Sequence, residues 1–139
     1  MQVRRAVADD VQAIRECDVY AHSNRDRVRF IVASVAQERC LIATGEGRVL
    51  GYVVLTHDFF GHGFISVVVV SPAHRRTGVG LKLLSAAEAV CRSPKLFTSA
   101  NLSNLPSQKL ILKAGFQRSG VIENLDEDDP ELIYVKFIR

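Results

Sequence analysis

The seven residues Phe64–Val70, FISVVVV, constrain the fold more than any other stretch of the chain. Six of them are apolar, so neither face of a strand built from them belongs against water. Such a strand is central in a sheet that is covered on both sides. Ser71 and Pro72 end it, and the chain then changes period. From Val79 onward apolar residues recur at helical spacing, which predicts a helix from Gly78 to about Cys91, stopped by Ser93 and Pro94.

The remaining elements fall on either side of this strand. Residues Gln2 to Ala6 predict a short strand. Asp9 or Asp10 then caps a helix with Val11, Ile14 and Cys17 on its apolar face. A second helix starts near Asn24 and uses Val28, Ile31, Val32 and Val35. CLIAT and VLGYVVLTH predict two strands joined by the turn GEGR, and DFFGHG predicts a second turn before the central strand. Beyond Pro94, KLFTS is a strand and Asn104 to Ala114 a helix stopped by Gly115, with Leu105, Leu110, Ile111 and Ala114 facing inward. FQRSGVIEN and ELIYVKFIR close the chain as strands around the acidic turn LDEDDP. An antiparallel meander that feeds a β-α-β unit implies an α/β protein with a mixed sheet of about seven strands and helices on its faces.

Composition excludes several classes. With 139 residues and no linker-like stretch, residues 1–139 are expected to form one domain. A net charge of +3 without a basic block argues against a nucleic-acid partner. Arg25, Arg27 and Arg29 are interrupted by Asp26 and read as a solvated helix face. Cys17, Cys40 and Cys91 are an odd number, far apart, with no C-x-x-C pair. Neither a disulfide framework nor a bound metal is expected, and the reducing cytoplasm is the expected compartment. The charged start MQVRRAVADD is not followed by an apolar run of signal-peptide length, and no segment reaches membrane-spanning length.

The turn HRRTGVG is where strand gives way to helix. A helix N-terminus offers unpaired N–H groups and a partial positive charge. Thr77 stands in the position to cap that helix. Gly78 and Gly80 allow an anion to approach the backbone, and Arg75 and Arg76 add charge-assisted donors at the same mouth. These features describe a pyrophosphate cradle, although a bare pair of glycines also serves close packing of a helix on a sheet. The G-x-x-x-x-G-K-[ST] loop is absent. A dinucleotide fingerprint would need glycine where Leu83 stands.

The run V-x-P-x-x-R-R-x-G-V-G-x-x-L resembles the acyl-CoA-binding signature of the GCN5-related N-acetyltransferase (GNAT) superfamily. Arg75-Arg76-Thr77-Gly78-Val79-Gly80 matches its core [QR]-x-x-G-x-[GA]. A second block, Asn104 to Phe116, is similar to the superfamily's downstream helix, with Asn104, Ser107, Leu110, Lys113, Gly115 and Phe116 in register. The resemblance implies an acyl-CoA N-acyltransferase fold that is splayed between its fourth and fifth strands. It implies that Val68, Val69 and Val70 meet the pantetheine arm of acetyl-CoA, that Arg75 through Gly80 hold the pyrophosphate, and that Asn104 contacts the arm from the other side. The implied activity is transfer of an acetyl group to a primary amine of a small molecule or protein. A non-catalytic acyl-CoA sensor is the alternative.

Acyl transfer to an amine needs a neutral amine, a stabilised oxyanion and a protonated leaving thiolate. Backbone N–H groups of the central strand can serve the oxyanion. Three side chains that the resemblance leads one to expect are absent: Ile111 stands at the usual Tyr position, and Ser66 and Ser99 stand where acidic residues are common. Ser107, one helical turn before Ile111, Tyr134 on the last strand and Glu123 in the acidic segment are the candidate catalytic side chains. His57 and His62 flank the DFFG turn as further bases. Phe59 and Phe60 are candidate groove walls, as are Tyr20 and His22. Six carboxylates between Glu123 and Glu131 would attract a cationic amine. Either a monomer or a homodimer is compatible with this sequence.

Overall fold

The computed structural model describes residues 1–139. Seven strands form one sheet: β1 (Gln2–Arg5), β2 (Cys40–Gly45), β3 (Arg48–Phe59), β4 (His62–Val70), β5 (Lys95–Asn101), β6 (Gln117–Ile122) and β7 (Glu131–Phe137). Their spatial order is β1-β2-β3-β4-β5-β7-β6, and only β4 and β5 run parallel. Helices α1 (Val11–Cys17) and α2 (Arg25–Ala36) cover one face, and α3 (Val79–Val90) and α4 (Leu105–Lys113) the other. The sequence expectation of a mixed sheet with two helical layers is met in full.

Alternation along the strands builds two cores. Tyr52 and Val54 of β3 pack with Ile42 of β2 against Ile14, Ile31 and Val35 of α1 and α2. Val53 and Leu55, one residue out of phase, pack with Ile65 and Leu96 against Leu83, Leu84 and Ala87 of α3 and Ile111 of α4. Strand β3, rather than β4, is the one buried continuously on both faces: Leu50 through Leu55 are all buried, whereas Val67–Val70 are half-buried. The cause lies in the next strand's departure, described below.

Local chemistry sets the ends of the elements. Asn24 caps α2 by accepting from the Arg27 N–H at 2.9 Å. The expected DFFGHG turn is tighter than its composition suggests. Phe60 and Gly61 are the only loop residues, both with positive φ (51° and 79°), and His62 and Gly63 already belong to β4. Val32 of α2 and Leu105 of α4, expected to face inward, are exposed. Phe30 packs inward on α2 instead, while Leu110, Ile111 and Ala114 keep the inward positions expected of them on α4. At the N-terminal end of β4 the sheet is stitched shut. Ser93 Oγ accepts from the Gly63 N–H at 2.8 Å and donates to the Lys95 carbonyl at 2.6 Å. No helix is long and apolar enough to cross a membrane.

Candidate active site

Strands β4 and β5 pair over three steps only: Gly63 with Leu96, Phe64 with Phe97 and Ile65 with Thr98. Beyond Ile65 they separate, and β5 stays with β7 instead. A β-bulge sits at the parting point. Val54 opposes Val67 and Leu55 opposes Ile65, which leaves Ser66 as an extra residue. The direction of the backbone groups past the bulge follows from one hydrogen bond. The Ser71 N–H donates to the Leu50 carbonyl at 2.8 Å, so Ser71 is turned toward β3. In an antiparallel ladder alternate residues face alternate neighbours. Val69 therefore faces β3, while Val68 and Val70 direct N–H and C=O into the opening, where no strand stands opposite.

The opening leads to the turn before α3. A short 3₁₀ turn, Pro72–His74, is followed by Arg75 in an extended conformation, Arg76 at φ 63° and Gly78 at φ 87°. Helix α3 has no side-chain cap. The expected role of Thr77 as that cap is overturned: its hydroxyl donates back to the His74 carbonyl, and Gly78 takes the cap position. Positive φ suits Gly78, because it has no Cβ to clash. The first helical bond runs from the Lys82 N–H to the Gly78 carbonyl at 3.1 Å. The N–H groups of Val79, Gly80 and Leu81 are consequently free at the helix mouth. Gly80 does a second job: a Cβ there would lie 2.9 Å from Leu110 Cδ2, so its absence lets α3 and α4 approach. Arg75 and Arg76 are exposed and make no ion pair.

A split sheet lined by unpaired backbone groups, ending at an uncapped helix with two free arginines, fits a long anionic ligand lying along β4. Residues 6–116 match the sequence pattern of the acetyltransferase (GNAT) family. The chain belongs to that family. A GNAT-family acetyltransferase from Bacillus cereus ATCC 10987 shares 36% identity and a TM-score of 0.92, covering 98% of this chain and 96% of its own. YncA from Salmonella typhimurium, solved with acetyl-CoA, has the same fold at a TM-score of 0.76 and 20% identity, covering 99% of this chain and 94% of its own. Among curated relatives, the NAA10 catalytic subunit of the N-terminal acetyltransferase A complex from Arabidopsis thaliana is 28% identical over 93 residues, 63% of this chain and 48% of that protein. Mycothiol acetyltransferase from Amycolatopsis mediterranei (strain U-32) is 40% identical over 81 residues, 56% of this chain and 26% of that protein. The chain spans less than half the length of either curated relative.

Within this GNAT fold the candidate side chains fall in different places. Asn104 caps α4, its Oδ1 accepting from the Ser107 N–H at 3.2 Å, which leaves its Nδ2 free on the α4 side of the opening. Ser107 is half-buried one turn before Ile111, and Ile111 is wholly within the core. Tyr134 pairs with Thr98 on β5, and its ring is buried in the α3–α4 core with the Arg118 guanidinium 5.9 Å from its centroid. Glu123 follows the end of β6 and is exposed.

His57 and His62 lie at the stitched end of β4, remote from the open end. From His62 to Val70 the strand runs about 26 Å. His57 Nε2 accepts from the Arg92 N–H at 3.0 Å, and burial together with the Arg92 and Arg39 charges holds its pKa below the ordinary value. It ties β3 to the end of α3. Phe59 stacks on Phe64 at 4.7 Å and contacts Phe97 at 5.1 Å, so it packs at this closed end, while Phe60 is exposed at the hairpin tip. A cavity of about 930 Å³ lies elsewhere again, between α1, the β2–β3 turn and Ser71–His74. Neither Val68 nor Val70 borders it.

A buried network opposite α3 and α4 was not foreseen. Asp18, 2% exposed, accepts from the Tyr52 hydroxyl at 2.5 Å, from Arg27 Nη1 at 2.8 Å and from the Tyr20 N–H at 3.1 Å. Arg27 lies 4.7 Å over the Tyr20 ring, and Asn24 Nδ2 donates to the Tyr20 hydroxyl at 2.8 Å. Burial, then Asp18, raises the Tyr52 pKa. The network fixes the α1–α2 connection over the face of the sheet that carries Val67 and Val69. One signal pointed to it: a Tyr within an apolar strand must find a partner for its hydroxyl.

Proposed function

We propose that the protein transfers an acetyl group from acetyl-CoA to a primary amine by direct attack in a ternary complex. One observation carries this reading: the Val68 and Val70 backbone groups line an opening that ends at the uncapped N-terminus of α3. The pantetheine arm adds along β4 as a further strand, bonded to Val68 and Val70 with Val69 between them. The pyrophosphate rests on the N–H groups of the Thr77–Gly80 turn, between the side chains of Arg75 and Arg76.

The neutral amine attacks the thioester carbonyl, a C–N bond forms, and the carbonyl oxygen takes up negative charge. The Val68 N–H is in place to stabilise that oxyanion. Collapse of the intermediate breaks the C–S bond and releases the thiolate of CoA. The proton lost by the new amide nitrogen returns to that thiolate, directly or through water. Ser107, one helical turn before Ile111 on α4, is the relay on this route. The ring of Tyr134 is enclosed by the core, which favours a packing role. Exposure of Glu123 favours attraction of the acceptor over proton abstraction. The three free, buried cysteines fit a reducing compartment such as the cytoplasm.

Two acceptor classes are represented among the relatives. The NAA10 subunit and the ribosomal-protein-alanine N-acetyltransferase of Brucella melitensis are named for proteins, and mycothiol acetyltransferase for a small molecule. A second reading, an acyl-CoA-binding module without turnover, draws on Ile111 at the position of the usual acid. Thermal shift with acetyl-CoA, CoA, ATP and NAD tests the cofactor, since a ligand that binds only the folded state raises Tm. The informative variant is Arg75→Glu with Arg76→Glu, both exposed, because Gly80→Glu would also collide with Leu110. A rise with both CoA species, lost in the variant, is expected. Equal response to ATP would refute the reading, and CoA binding without transfer to any amine would favour the module.

A further inference from the structure

We propose that the acceptor is a polypeptide carrying basic residues near its amine, docked on a rim formed by β6, the β6–β7 turn and the β5–α4 turn. This rests on the acetyltransferase reading and names the acceptor class for the same site. Four observations converge on that rim.

The rim adjoins the opening. Asn101, the last residue of β5, follows the segment that parts from β4, and its Nδ2 donates to Asp126 Oδ2 at 2.8 Å. The two turns are clamped together. Ser103 donates its N–H and hydroxyl to Asp129 at 3.0 and 2.6 Å, and the Leu102 N–H donates to the Pro130 carbonyl at 2.9 Å. Asp126 and Asp129 therefore serve to hold the surface in shape, which lowers the ordering cost of binding.

The clamped surface carries large apolar side chains among its charges, where solvated turns are usually polar throughout. Leu102, Leu105, Val121, Ile122 and Leu125 are all exposed, Leu125 at 62% and Leu105 at 58%. All six residues of β6 are exposed, and the strand is the free edge of the sheet, so an extended chain can lie beside it. A small polyamine would need none of this apolar area, whereas several large exposed apolar side chains gathered on one clamped rim suit a macromolecular partner.

Charge supplies the sign of that partner. Glu123, Glu127, Asp128 and Glu131 make neither an ion pair nor a side-chain hydrogen bond, and Asp126 and Asp129 meet only uncharged donors. Six carboxylates in nine residues thus stand unneutralised in a chain of net charge +3. A basic segment is complementary to this rim, and an acidic one is repelled by it.

The test uses three acceptors with saturating acetyl-CoA: a peptide of alternating Lys and Leu with a free α-amine, the same peptide with Glu in place of Lys, and spermidine. The Lys peptide is expected to exceed the Glu peptide in kcat/KM by at least roughly tenfold, an advantage that shrinks in about 0.5 M salt. Glu127→Lys with Asp128→Lys, at two exposed positions free of partners, is expected to raise KM for the Lys peptide roughly tenfold. The same variant should leave kcat and the KM for acetyl-CoA unchanged. Leu125→Ser should weaken binding of the fluorescently labelled Lys peptide to the CoA-bound protein, read by anisotropy without turnover. Equal use of both peptides, or spermidine as the better acceptor with peptide binding unmoved by either variant, would overturn the proposal. Acetyl-CoA binding with no peptide acetylated would overturn it alone, while failure to bind acetyl-CoA would remove the reading beneath it.

Discussion

Replacing Asp18 by Ala tests whether the network under the α1–α2 connection holds the molecule together. The carboxylate is 2% exposed and takes three hydrogen bonds, one from a fully buried phenol and one from a guanidinium whose side chain is 22% exposed. Removing one partner of a buried pair costs about 3–5 kcal/mol, because the other is left without compensation. Partial exposure of Arg27 lets water replace its lost bond, which places Asp18→Ala near the lower end, at about 3 kcal/mol. Tyr52→Phe removes a donor but leaves Asp18 its other two bonds, a loss of about 1.5 kcal/mol. Since the two groups share a bond, the double variant should fall short of additivity by about 1 kcal/mol. In a chain of this size about 1 kcal/mol moves Tm by roughly 4 °C, so Asp18→Ala should melt about 12 °C early. Urea unfolding at neutral pH gives the same quantity independently. A loss below about 1 kcal/mol for Asp18→Ala, or strict additivity of the pair, would refute the reasoning.

Other outcomes follow from the site and its surroundings. Arg75→Glu with Arg76→Glu should weaken acetyl-CoA binding by roughly ten- to a hundredfold in calorimetry, with little change in Tm of the free protein, since both side chains are exposed. Gly78→Val, which forces a β-branched residue to φ 87°, should cost about 1–3 kcal/mol of stability and weaken the cofactor more than Gly78→Asn does. Stability should fall as pH drops below the ordinary histidine value of 6.5, because the unfolded chain takes a proton on His57 before the folded one does. His57→Gln should flatten that part of the Tm–pH curve. Burial pushes the Cys17 and Cys40 thiols up to about 12, so at about pH 8 the native protein should resist iodoacetamide at both, and urea should expose them.

Much of this architecture was legible because it rests on periodicity. The apolar block Phe64–Val70 announced a strand in the middle of a sheet, and the switch to helical spacing after Gly78 placed α3 within a residue. What that block could not reveal is that its second half stands beside an opening, so that Val67–Val70 are half-buried and β3 is the doubly covered strand. Burial by a neighbour depends on where β5 goes, and nothing in FISVVVV records the path of Lys95–Asn101. The turn before α3 drew attention for a similar reason: glycines and arginines at a strand-to-helix junction have few uses. The Thr77 reading failed because a hydroxyl can either accept from the helix N–H groups or donate to a nearby carbonyl, and donation to the His74 carbonyl won over capping. Asp18 was passed over because an aspartate after a short helix reads as a turn residue. Only the fold brings it to Tyr52, 34 positions away.

The bulge at Ser66 carries a consequence for how this site can change through descent. Its donors are main-chain atoms of Val68 and Val70, which every residue but proline possesses alike. Point substitutions can drift through this stretch and leave the slot intact, as long as the strand keeps its apolar faces. An inserted or deleted residue acts differently: without Ser66, nothing would bend β4 away from β5, and the parallel ladder could continue past Ile65 and Thr98. The slot is therefore encoded in the length of a strand more than in the identity of its side chains. Losing it should require a change in the length of the strand rather than in its letters.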